Sequence, residues 1–136
     1  MTMKDQIKQY INEIKVLRQE ADRYDADSPA GLMERITLLT KAHVLMGRVS
    51  AYMDGQYKRR HVQRQNTYTA VKAAAGRGDK VTQAELAVME LREQEAEAYE
   101  LMHLWRNEFT SLTEHLHELR LRLRIDLNIG TGGGGA

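Results

Sequence analysis

No proline follows Pro29 in a chain of 136 residues. A proline removes a backbone donor and clashes with the preceding turn, so a proline-free stretch can remain helical as long as its other residues allow. In this stretch apolar residues recur every seven positions. Leu32, Leu39, Met46 and Met53 form one series, and Leu91, Ala98, Trp105, Leu112 and Leu119 form another. Ile36, Ala42, Val49 and Tyr57 fill the first face, and Leu101, Phe109, Leu116 and Leu123 fill the second. A seven-residue apolar repeat is the mark of helices that pack along their length. A single phenylalanine makes a sheet protein a poor fit, because pleated faces draw on aromatic side chains.

Three breaks divide the pattern. Ile7, Tyr10, Ile14, Leu17, Ala21 and Tyr24 lie on one face of a first helix over about 3–24, and Thr2 with Asp5 forms a capping box. Ser28-Pro29 starts a second helix over 29–75, with the serine as N-cap and proline at the first helical position. Gly76-Arg77-Gly78-Asp79-Lys80 is a turn. Thr82 with Glu85 reads as a capping box for a third helix over 82–127. Gly47 and Gly55 lie inside the second helix, where each costs about 1 kcal/mol relative to alanine. They mark a bend or a close helix contact. Residues 130–136 read as a flexible glycine-rich tail.

The fold expected is all-α, a single domain over 1–129. Its core is a long antiparallel two-helix hairpin, coiled-coil-like, with the shorter N-terminal helix making a three-helix bundle at its base. Each long helix would span about 69 Å at 1.5 Å per residue. Equal lengths around a tight turn set facing residue numbers that total about 157. Arg64 then falls near Glu93, Lys58 near Glu100 and Lys72 near Glu85. The far arm, roughly 57–100, is poor in large apolar residues, and a two-helix arm alone is marginal. Packing of arms from several copies, a homo-oligomer, is therefore expected.

Several function classes are disfavoured. There are no cysteines, so disulfides and cysteine-ligated zinc are absent. The start of the chain lacks a signal-peptide pattern, and no apolar run reaches the roughly 18 residues of a membrane span, so a cytoplasmic location without membrane contact is expected. His115 and His117, two apart on a helix, point in nearly opposite directions and cannot grip one ion. Glu100 and His103 share a face but lack the second such pair that a di-iron bundle needs. No phosphate-cradling or nucleophile motif occurs. The expectation is a protein that is not an enzyme and uses neither cofactor nor metal.

Charge patterning is the remaining signal. Residues 1–29 carry 5 basic and 6 acidic groups, residues 30–80 carry 10 and 3, and residues 81–129 carry 5 and 10. The second helix is thus basic and the third acidic. Within the basic helix Tyr57, His61, Arg64, Tyr68 and Lys72 form one stripe, flanked by Lys58, Arg59 and Arg60 and followed by Arg77 and Lys80. Cations interleaved with aromatic rings suit single-stranded nucleic acid, because the cations neutralise phosphates and the rings stack on unpaired bases. Arg120, Arg122 and Arg124 form a second basic cluster. The competing reading is that these cations only pair with the acidic helix.

Two long helices joined by Gly76-Arg77-Gly78-Asp79, with a lysine- and arginine-rich helix before the turn, resemble small helical proteins of replication and recombination modules in tailed bacteriophages. The nearest type is the T4-type recombination mediator. That resemblance implies an oligomer in the host cytoplasm that binds single-stranded DNA and helps to load a recombinase. The expected function is a non-enzymatic, oligomeric, single-stranded-DNA-binding accessory of phage-type recombination or replication. Its contact residues would be Tyr57, Lys58, Arg59, Arg60, His61, Arg64, Tyr68, Lys72 and Arg77. The alternative is a protein-binding role without nucleic acid, such as an assembly scaffold or an inhibitor of a host enzyme.

Overall fold

The computed structural model describes residues 1–132, with side-chain surroundings through Asn128. The described residues form four helices, α1 (Met3–Ala21), α2 (Pro29–Ala74), α3 (Lys80–Ala87) and α4 (Met89–Gly132), with no strand. The all-helical class is as expected from the sequence.

The helix starts show how local chemistry sets the boundaries. At α1, Thr2 Oγ1 accepts from the Asp5 amide at 3.2 Å while Asp5 Oδ2 accepts from the Thr2 amide at 3.2 Å, the reciprocal capping box. At α2, Ser28 Oγ accepts from the Gly31 amide at 3.0 Å. Gly31 is buried, and a Cβ there would lie 2.1 Å from the Asp25 carbonyl oxygen. Only glycine lets the incoming loop pass so close to the first turn of α2.

Several boundaries differ from the sequence expectation. The first helix ends at Ala21, and exposed Tyr24 lies beyond it. Arg35 accounts for the early stop, because its guanidinium donates to the carbonyls of Tyr24 at 2.7 Å and Asp22 at 3.4 Å. The helix after the turn is capped by Asp79, not Thr82. Asp79 Oδ1 accepts from the amides of Val81 and Thr82, both at 3.1 Å, and the Thr82 hydroxyl donates to Asp79 Oδ2. The expected helix over 82–127 is interrupted at Val88 (φ −106°, ψ 5°), whose N–H turns back to the carbonyls of Glu85 and Leu86. Val88 is fully buried, as is Ala84. A β-branched residue gives up little by leaving the helix, and the kink seats both apolar side chains. Of the tail expected over 130–136, α4 continues through Gly132, and 133–136 lie outside the described residues.

The chain forms two compact units. The first holds Met1–Val49 and the chain from Arg106 onward. Its buried side chains come from three helices: Ile7, Ile14 and Ala21 of α1; Leu32, Leu39, Ala42, Leu45, Met46 and Val49 of α2; Leu112, Leu116 and Leu119 of α4. Gly47 lies against Phe109, with a Cβ there only 3.2 Å from the ring. Phe109 in turn stacks on His43 with centroids 4.3 Å apart, and His43 Nε2 meets Thr113 Oγ1 at 2.6 Å. Arg48 lies 5.5 Å from the centre of the Tyr10 ring, a cation–π distance.

The second unit is Ser50–Trp105. Its only buried apolar side chains among the described residues are Ala84, Val88 and Met102. Within it Tyr57 meets Tyr99, Arg60 meets Gln94 and Arg64 meets Glu95, so partner numbers on α4 fall, on the whole, as those on α2 rise. Arg64 pairs with Glu95 in place of the expected Glu93, because both oxygens of Glu95 point at α2. Glu85, expected near Lys72, instead pairs with Arg92 across the Val88 kink.

Candidate nucleic-acid interface

Eight of the nine residues proposed from the sequence fall into two groups, and the ninth, half-buried Tyr68, lines a groove with Lys72 and Lys80. Tyr57, Arg60, His61 and Arg64 sit on the side of α2 that meets α4. Glu95 accepts from Arg64 Nε and, at 2.9 Å, from His61 Nδ1. These two donors hold the Glu95 carboxyl below its usual 4.5, with the Arg64 hydrogen bond the largest cause. Arg60 donates to Gln94 Oε1 at 3.0 Å and Gln63 Oε1 at 3.3 Å. The Tyr57 ring meets Tyr99 edge-on at 5.3 Å and His61 at 6.0 Å. All four are half-buried. The hydrogen bonds of Arg60, His61 and Arg64 are made within the chain.

The second group faces water. Lys58, Arg59, Lys72 and Arg77 are exposed, and they make no hydrogen bond or ion pair among the described residues. Lys80 belongs with them. Lys58 and Arg59 lie on the back of α2, where they line a shallow groove with Val62, Gln63 and Asn66. Lys72 and Lys80 line another groove with exposed Thr69 and Ala73 and half-buried Tyr68.

The turn carries net positive charge, three cations against the Asp79 carboxylate, and none of the three forms an ion pair among the described residues. Lys72, Arg77 and Lys80 bracket it, and Asp79 and Glu85 are the nearest acids in sequence. Asp79 is committed to capping α3, and hydrogen bonds from the Thr82 hydroxyl and amide lower its pKa. Glu85 is committed to Arg92. Gly78, at φ +118°, permits the tight reversal that brings the start of α3 back toward the end of α2. An exposed cluster of this sign attracts polyanions and loses that attraction as salt rises.

Tyr99 and Gln94 were absent from the sequence reading of this region. Tyr99 was accessible from the register, since position 57 is expected opposite about position 100. Gln94 carries no charge and gave no signal.

Among the described residues no group of three or more His, Asp or Glu side chains is placed to hold a metal ion. Among the described residues no helix is long and apolar enough to cross a membrane. No protein-family model, curated protein or solved structure matches this chain.

Proposed function

We propose that this is a non-catalytic, oligomeric protein that binds single-stranded DNA, with its phosphate contacts at the turn between α2 and α3. The observation that carries the reading is the cluster Lys72, Arg77 and Lys80, exposed and unpaired, beside half-buried Tyr68. None of the three cations forms an ion pair among the described residues, so they are available to phosphates, and the Tyr68 ring beside them can stack on an unpaired base. Lys58 and Arg59 supply further positive charge on the same helix. Tyr57, Arg60, His61 and Arg64 support the surface from within by joining α2 to α4 as an antiparallel coiled coil. With the resemblance to T4-type recombination mediators, the role is that of an accessory in phage-type recombination or replication, acting in the host cytoplasm.

Fluorescence anisotropy of labelled single-stranded DNA across a salt series tests this. Wild-type affinity should fall steeply with salt. Replacing Lys72, Arg77 and Lys80 together with alanine should weaken binding and flatten the logarithmic salt slope by roughly 2, at about 0.7 per lost phosphate contact on single strands. Unchanged affinity in the triple variant would sink the assignment.

The pairing of His61 and Arg64 with Glu95 favours a second reading. There the charge pattern serves helix pairing alone, and the protein is an assembly scaffold or an inhibitor of a host enzyme. Absence of DNA binding even at low salt would select it.

A further inference from the structure

Gly55 lies in the middle of α2, and a Cβ added there would meet nothing within 4 Å. Gly47, in the same helix, has Phe109 against it. Gly55 has no such neighbour in its own chain, yet glycine weakens a helix interior. Helical spacing places Gly55 on one stripe with Arg59, Val62 and Asn66, at steps of four, three and four. This stripe is turned away from α4, whose contacts are made by Tyr57, Arg60, His61 and Arg64. Val62 is 50% exposed.

The opposite side of the same unit carries a matching stripe. Glu93, Glu97, Glu100 and Leu104 follow one another on α4 at the same steps, on the side away from the contacts that Gln94, Glu95 and Tyr99 make to α2, with Glu100 at its edge, where it also borders the groove beside Tyr57 and Arg64. The three glutamates are exposed and make no ion pair or hydrogen bond among the described residues, and Leu104 is 52% exposed. One back is therefore basic with a glycine notch, and the other is acidic with a protruding leucine.

We infer that a second copy of this chain docks its α4 back on the α2 back of the first, with Leu104 over Gly55 and Glu100 opposite Arg59. Run antiparallel, the two stripes bring leucine to the notch and carboxylate to guanidinium together, and place Glu93 beside Asn66. Arg59 and Glu100, neither of which finds a partner inside one chain, are then paired between chains, and Glu97 falls opposite Val62. The two surfaces differ, so the contact is heterologous. Each copy offers one of each kind, and repetition gives a ring where the rotation closes. This deepens the proposed oligomer by naming its surfaces, and it leaves the turn cations Lys72, Arg77 and Lys80 open to DNA.

Sedimentation equilibrium of the full chain tests the docking, with circular dichroism confirming that each variant is folded. Wild-type protein should self-associate. Arg59→Glu and Glu100→Arg should each weaken association by about tenfold or more, since like charges would then face each other. Mixing the two variants should restore it, because Glu at 59 on one chain meets Arg at 100 on the other. Gly55→Leu, which fills the notch, should weaken association while leaving the monomer helical. A monomeric wild type, or a mixture that stays dissociated, would overturn the inference. A monomer that still binds DNA would refute only the docking, and an oligomer that ignores DNA would refute only the nucleic-acid reading.

Discussion

At Gly31, Gly47 and Gly55 the same residue type serves three different purposes. Gly31 admits the Asp25 carbonyl, so Gly31→Ala should destabilise the protein by about 1–3 kcal/mol through overpacking against backbone that cannot swing aside. Gly55→Ala should stabilise the isolated chain by up to about 1 kcal/mol, because open space lets helix propensity act alone. Gly47→Ala should gain less, since the new methyl crowds a Phe109 ring held by His43. Denaturant unfolding of the three variants checks the ranking, and equal effects would refute it. Titration adds a second residue-scale test. Burial, followed by the charge of Arg120, lowers the pKa of His43 from its usual 6.5. The folded state then favours the neutral ring, so its contribution is complete above pH 6.5 and is lost as pH falls below it. Glu95 behaves likewise in a lower window, its contribution present above pH 4.5 and lost as pH falls through its depressed value. Stability measured against pH should lose the upper step in His43→Gln and the lower step in Glu95→Gln.

The helices show which local signals suffice. The Thr2–Asp5 box and the Ser28 cap are readable three residues at a time, and both form. Asp79 takes the cap expected of Thr82 because a carboxylate can accept from two amides and a hydroxyl together. The kink at Val88 has no glycine or proline to announce it. It coincides with the full burial of Val88 and Ala84, a placement that depends on packing and not on a local breaker. Val88→Ala should therefore cost the second unit about 2 kcal/mol. Thermal unfolding followed by circular dichroism would show it, and a neutral result would mean that the kink is indifferent to the side chain.

Across the molecule, stability is unevenly distributed. The unit containing α1 buries a dozen apolar side chains from three helices, whereas Ser50–Trp105 buries only Ala84, Val88 and Met102 among the described residues. Regions with few buried contacts open more readily. Amide exchange in dilute protein should thus be faster over residues 50–105 than over Leu39–Val49 or Leu112–Leu119. Raising the concentration should slow exchange selectively over residues 50–105 if copies cover that unit. Uniform protection at every concentration would contradict both points.

The sequence by itself determined the helical class, the starts of the first two helices and the opposite charge of the segments before and after the turn. These rest on seven-residue periodicity, capping chemistry and a single proline, all of them local along the chain. It did not separate the basic helix into its two groups. His61 and Arg64 are bound to Glu95 while Lys58, Arg59, Lys72 and Arg77 remain free, and the register alone does not say which of Glu93 and Glu95 turns its carboxylate to α2. Charge alone cannot tell a cation that faces a neighbouring helix from one that faces water. Only the rotation of each helix about its axis does that, and tertiary packing sets that rotation.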